Sequence, residues 1–147
     1  MNADDNALDI REVNEGIIGR CFVLMRQLRS HLASEREFIQ RWRRQGSQGY
    51  RVVAVWRGDV PVALAGYRVT ESLIHGRFLY VDDLVVDLQA RSAGHGTRLM
   101  DWLKDESRRQ GCVKLVLDTG LDNALAHRFY FRQGLLAMAL RFNIPLK

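Results

Sequence analysis

The stretch that most constrains this chain is a strand–loop–helix–strand unit with two glycines between the first strand and the helix. It opens with Phe78-Leu79-Tyr80-Val81-Asp82-Asp83-Leu84-Val85-Val86, a strand-like apolar run broken by adjacent aspartates. A polar turn, Asp87-Leu88-Gln89-Ala90, leads into Arg91-Ser92-Ala93-Gly94-His95-Gly96-Thr97. Leu99, Met100, Trp102 and Leu103 then recur among charged residues, in a helical pattern that runs to Gln110-Gly111. Cys112-Val113-Lys114-Leu115-Val116-Leu117-Asp118 reads as the second strand.

Glycine at 94 and 96 lets the backbone come close to a ligand, because neither residue carries a Cβ. Both stand where a helix begins and where its first N–H groups have no intrahelical partner. Such an end carries partial positive charge and suits a phosphate or pyrophosphate, and Arg91 and Arg98 add full charges. The spacing fits neither common phosphate motif. The dinucleotide pattern needs a third glycine where Leu99 stands, and the Walker pattern needs a lysine between Gly96 and Thr97. Taken alone, the loop leaves two readings open: an anion site, or a helix start that packs closely on a strand.

The context separates them. Arg91-x-x-Gly94-x-Gly96, after a strand and before an amphipathic helix, resembles the acyl-coenzyme A signature of the GNAT N-acetyltransferase superfamily, Arg/Gln-x-x-Gly-x-Gly/Ala. Downstream, Asn123 and then Ala126-His127-Arg128-Phe129-Tyr130-Phe131-Arg132-Gln133-Gly134-Leu135 resemble the second signature of that superfamily. That signature is an Asn followed by Ala-x-x-Phe-Tyr-x-x-x-Gly-Phe; Leu135 replaces its last residue. Elements for the whole fold can be placed from about Leu8 to Leu146.

Residues 8–14 alternate as a half-buried strand. Ile17, Ile18, Cys21, Phe22, Leu24, Met25, Leu28 and Leu32 predict one core-facing helix over 16–32. Ser34-Glu35-Arg36-Glu37 is a capping box that opens a second helix, ending near Gly46. Tyr50–Trp56 and Pro61–Thr70 are strands joined by a hairpin turn at Gly58-Asp59, and Gly66 marks a bulge or close approach. Leu136–Ile144 reads as the last strand. The expected order is β-α-α-β-β-β-α-β-α-β, an α/β fold with a mixed, mostly antiparallel central sheet flanked by helices. Residues 1–147 are expected to form a single domain, with 1–6 a flexible N-terminus.

Composition narrows the classes. No run of 18 apolar residues is present, so a membrane helix is not expected. The acidic start, Met1 to Asn6, is unlike a secretory signal, and a cytoplasmic location is expected. Cys21 and Cys112 lie far apart and belong to no metal-spaced set, so they read as reduced thiols and no metal is expected. The net charge of +5 raises nucleic-acid binding, but 17 acidic residues are interspersed and no base-stacking motif accompanies the arginines. Solvated faces, and attraction of a polyanionic cofactor, explain the charge better.

The resemblance implies transfer of an acetyl group from acetyl-coenzyme A to a primary amine by direct attack in a ternary complex. Tyr130 would be the general acid that protonates the leaving thiolate, as a phenol can at neutral pH. Asp83, with Asp82 as the second choice, would attract or deprotonate the amine; strand parity sends the two to opposite faces, so one at most should face a given pocket. The Tyr80–Val86 stretch resembles the polyamine- and thialysine-type branch, where an acidic pair stands here. Val85 and Val86 would offer backbone groups to the pantetheine arm. Arg91, Ser92, Ala93, Gly94, His95, Gly96 and Thr97 would surround the pyrophosphate, and Asn123 would bond the pantetheine amide region. His127 is a nearby alternative base. The expected partner is a small-molecule amine. A protein amine, a non-catalytic acyl-coenzyme A sensor and a basic nucleic-acid module are the rivals. Oligomeric state stays open, a homodimer being the commonest closed assembly.

Overall fold

The computed structural model describes residues 8–91 and 93–147; the expected flexible segment 1–6 lies outside them. The chain forms two compact units, one ending at Val116 and the other comprising Leu117–Lys147. In order come β1 (Leu8–Glu12), a 3-10 turn at Ile18–Cys21, α1 (Phe22–Leu28), α2 (Glu35–Gly46), β2 (Arg51–Arg57), β3 (Val60–Ser72) and β4 (Gly76–Val86). After a second 3-10 turn at Leu88–Ala90 come α3 (His95–Arg109), β5 (Lys114–Leu117) and α4 (Ala124–Arg132). The described strands make a five-stranded sheet in sequence order. The first four pair antiparallel, and α3 carries the chain from β4 to its neighbour β5, so the sheet is mixed.

Alternation along β2 sends Val52, Ala54 and Trp56 to one face, where Ile18, Leu24, Met25, Phe38 and Leu64 complete an apolar cluster with α1 and α2. Val53 and Val55 go to the other face, which α3 covers with its fully buried Leu99, Met100 and Leu103. Burying each such side chain stabilises the fold by roughly 1.5–3 kcal/mol. The capping box forms in a shifted version: Ser34 Oγ accepts from Glu37 N–H at 3.1 Å, and Glu37 Oε2 reaches past the cap residue to Ala33 N–H at 2.8 Å.

Three expectations are corrected. The helix expected over 16–32 is a 3-10 turn followed by seven residues of α1, ending before Arg29. Gly16 and Gly19 do not favour a regular helix start, and the side chains of Glu35 and Ile39 of α2 pack beside Gly19. The strand expected at Leu136–Ile144 is absent from the described sheet, and Leu136, Met138, Leu140, Phe142 and Ile144 are exposed. Alternation supplies a strand's faces, but a ladder also needs a neighbouring backbone.

The third correction concerns the aspartates. Gly66 pairs with Asp83 whereas Tyr67 pairs with Val81, so Asp82 is an extra residue in β4. That bulge breaks the period-2 rule. Both carboxylates therefore join one cluster on the α1–α2 face, where Arg29 reaches Asp83 and Arg68 reaches Asp82.

Candidate active site

The loop after β4 has the geometry of an anion cradle. Gly94 caps α3 in the left-handed conformation, φ 82°, and nothing lies within 4 Å of the Cβ it lacks. The first intrahelical bond of α3 runs from Arg98 N–H to Gly94 O, so the N–H groups of His95 and Gly96 precede it. Arg91 and Arg98 are exposed, and among the described residues neither is ion-paired. Ala93 and Thr97 are also exposed; Ser92 lies outside the described residues. These residues suit the pyrophosphate of a coenzyme A molecule: cations, free N–H groups and a backbone without Cβ bulk converge there.

Upstream, Val85 and Val86 pair with Leu64 and Ala63 of β3. β4 has 11 residues and β5 only four, and the two begin side by side where Val113 N–H donates to Arg77 O at 2.8 Å. The four residues of β5 can pair with only part of the 11-residue β4 along that edge.

On the α1–α2 face, Asp83 is doubly held. Arg29 Nε donates to Oδ1 at 2.8 Å and the Tyr50 hydroxyl to Oδ2 at 2.5 Å. Burial, reinforced by the Asp83 charge, pushes the Tyr50 phenol well above its ordinary value, so it stays a donor. The approach requires Gly66, whose added Cβ would meet Tyr50 Oη at 2.0 Å and Asp83 Oδ2 at 2.5 Å. Asp82 is more open. Oδ2 accepts from Arg68 Nε at 3.0 Å, and among the described residues Oδ1 accepts no hydrogen bond. Burial raises its carboxyl above the usual carboxylate value, against the opposing pull of Arg68.

In the C-terminal unit, Tyr130 sits on α4 with its ring 5.5 Å from that of Phe129, and burial raises its phenol above the ordinary value. It lines a cleft of ≈ 390 Å³ with Asp118, His127, Phe131 and Leu135. Asn123 caps α4 through Oδ1, which accepts from Ala126 N–H at 3.2 Å. His127 Nε2 lies 2.7 Å from Gly120 O. A carbonyl only accepts, so Nε2 carries the proton and is not a free base.

Four residues that sequence reasoning did not single out complete the site: Gln27, Arg29, Tyr50 and Arg68. Gln27 brackets the start of the loop, with Nε2 donating to Asp87 Oδ1 at 3.2 Å and Oε1 accepting from Leu88 N–H at 3.1 Å. Arg29 also donates from Nη2 to Asp82 O at 2.8 Å. The partners of Gln27 and Arg29 are 53 to 61 positions away in sequence, Asp83 is 33 from Tyr50, and Asp82 is 14 from Arg68 on the paired strand, so no local pattern could flag them.

His95 is a finding of its own. Its ring is 2% exposed and neither nitrogen has a hydrogen-bond partner. Desolvation, then the charges of Arg57 and Arg98, hold its folded pKa below the ordinary value. The unfolded chain therefore binds the proton first, and stability is lost as pH falls from about 6.5 through the lower folded value. His95→Leu should lose less stability than wild type in urea melts taken from pH 7.5 down to 5. The raised Asp82 acts in the opposite sense but equally in both proteins, so parallel curves would refute the assignment.

A strand that runs directly into an anion cradle at a helix start is compatible with a coenzyme A-dependent transferase. The family model of the Acetyltransferase (GNAT) family matches residues 17–135. The chain is 32% identical over 110 residues to an uncharacterized N-acetyltransferase, YhdJ, of Bacillus subtilis (strain 168), covering 74% of this chain and 77% of the relative. It is 31% identical over 98 residues to the aminoalkylphosphonate N-acetyltransferase of Salmonella typhimurium, covering 66% and 62% of the two chains. The fold is similar to that of an aminoglycoside N-acetyltransferase solved in complex with coenzyme A, with TM-score 0.81, 14% identity and 96% of each chain covered. The chain belongs to the acetyltransferase (GNAT) family. It is an acyltransferase that uses acetyl-coenzyme A. Among the described residues, no group of three or more His, Cys, Asp or Glu could hold a metal ion, and no helix is long and apolar enough to cross a membrane.

Proposed function

We propose that this chain acetylates the primary amine of a small molecule in a ternary complex. The observation that carries the reading is Asp82, a half-buried carboxylate with one oxygen open, on the strand that runs directly into the anion cradle. Asp82 takes a proton from the bound ammonium, directly or through water, and its raised pKa brings it nearer to that task than an ordinary aspartate. Asp83, closed off by Arg29 and Tyr50, is a positioning residue that fixes the bulge. Val85 and Val86 hold the pantetheine arm through backbone groups. Arg91 through Thr97 hold the pyrophosphate, chiefly through N–H groups, and Asn123 bonds the pantetheine amide region. Tyr130, kept a phenol by burial, donates a proton to the departing thiolate. Small acceptors are supported by the names of the relatives and solved neighbours, among them aminoalkylphosphonate and aminoglycoside N-acetyltransferases. The unpaired Cys21 and Cys112 agree with a cytoplasmic setting.

The test combines binding and turnover. Acetyl-coenzyme A at a hundredfold excess over its Kd should stabilise the protein by about 2.7 kcal/mol, read as a raised melting midpoint. Adding a panel of small amines should then release free thiol in proportion to amine acetylated. Binding without thiol release from any amine would leave a sensor, and no binding would remove the reading altogether.

A further inference from the structure

The cluster around the bulge is not simply acidic, and its composition bears on the acceptor. It contains two carboxylates, Asp82 and Asp83, and two guanidinium groups, Arg29 and Arg68, each arginine paired to one aspartate. The formal charge of the four sums to zero. A polyamine, carrying ammonium groups only, would place its second cation among two arginines, and like charges at short range repel.

The open groups point elsewhere. Arg29 spends Nε on Asp83 Oδ1 and one Nη2 proton on Asp82 O; among the described residues the rest of its five donors are left over, and its side chain is 41% exposed. Arg68 donates from Nε to Asp82 and from Nη2 to Gln45 Oε1 at 3.4 Å. Asp82 keeps Oδ1 open beside them among the described residues. A part-exposed guanidinium edge therefore lies within one residue's reach of an open carboxylate oxygen, because the same Arg29 grips the backbone of Asp82. A guanidinium fork matches a carboxylate or phosphorus oxyanion, and a carboxylate matches an ammonium group.

Resting on the acetyltransferase reading above, we infer that the acceptor is a short amine that also carries an anionic group. Its nitrogen is held at Asp82 and its anion at Arg29. Arg29 is then a specificity-determining residue, and the polyamine-like acceptor implied by the Tyr80–Val86 stretch is disfavoured.

The test uses the full chain with acetyl-coenzyme A and four amines of similar length: 3-aminopropanoate, 2-aminoethyl phosphate, n-propylamine and 1,3-diaminopropane. At least one of the two anionic amines should exceed both others in kcat/KM by roughly tenfold or more, the worth of a charge-assisted hydrogen bond. Which of them leads tells carboxylate from phosphate. In Arg29→Gln that ratio should fall towards one, chiefly through a higher KM for the anionic amine; Arg29→Lys should keep part of it. Should Arg29→Gln fail to fold, Arg29→Lys and the wild-type ratios still decide. The same order should hold without turnover, as extra thermal protection of the acetyl-coenzyme A complex by the anionic amines. Preference for n-propylamine or the diamine, an Arg29→Gln ratio equal to wild type, or neither turnover nor protection from the anionic amines would overturn the inference while acetyl-coenzyme A binding stood. Failure of acetyl-coenzyme A itself to bind would instead remove the reading beneath it.

Discussion

Tyr130→Phe is expected to lower kcat by about 100-fold or more while leaving the affinity for acetyl-coenzyme A within about twofold, the pattern of a lost general acid. The ring is retained, so the contact with Phe129 and the apolar lining of the cleft survive; only the hydroxyl goes. Burial lifts the phenol above its ordinary value, which keeps it protonated through the neutral range. A proton source for a departing thiolate is needed only as the carbon–sulfur bond breaks, so its removal should appear in kcat rather than in cosubstrate binding. Steady-state kinetics paired with thermal protection by acetyl-coenzyme A would check both halves. An unchanged kcat would move the general acid elsewhere, and a lost thermal shift would make Tyr130 a binding residue instead.

Gly94→Glu should abolish protection by acetyl-coenzyme A and raise its Kd by at least about 100-fold, through a carboxylate placed where N–H groups and arginines face an anion. Two costs separate here. The left-handed φ of 82° charges any side chain roughly 1–2 kcal/mol of stability. The negative charge acts on the ligand alone, since nothing lies within 4 Å of the new Cβ to be displaced. Gly94→Asn isolates the first cost, because asparagine tolerates this conformation better than most residues and adds no charge. Calorimetric titration of the three proteins should rank Gly94, Asn and Glu in falling affinity, with circular dichroism unchanged. Equal affinity for all three would place the pyrophosphate away from this helix start.

Much of the fold was legible because it is written locally. The capping box at Ser34, the Gly58-Asp59 hairpin and the alternation of β2 each act within a few residues. Gly66 stood out as a bulge or close approach; it is the close approach, and the bulge lies opposite it in β4. The cofactor loop was legible because its logic, glycine at a helix start beside arginines, is contiguous. The acceptor side was not. Its pairs join Arg29 to Asp83 and Tyr50 to Asp83 across 54 and 33 positions, and nothing near either end announces the other. Parity failed at Asp82 because one inserted residue resets every side chain beyond it, and the pattern of β4 alone does not reveal the insertion. His95 was placed by resemblance among the residues around the pyrophosphate, and nothing in a polar loop marks burial, yet it is the first residue of α3 and its ring is buried.

The missing Cβ at position 66 also bears on how this acceptor side could be remodelled. With Tyr50 Cζ 2.6 Å and Asp83 Oδ2 2.5 Å from where that atom would lie, trimming Tyr50 to phenylalanine clears only part of the space. A larger residue at 66 needs Tyr50 and Asp83 to yield together, and Arg29 then loses its carboxylate. Positions 29, 50, 66 and 83 thus form an epistatic block. Single steps within it lead downhill, and a new specificity is reached more readily by drift at the exposed edge of Arg29 than by substitution underneath it.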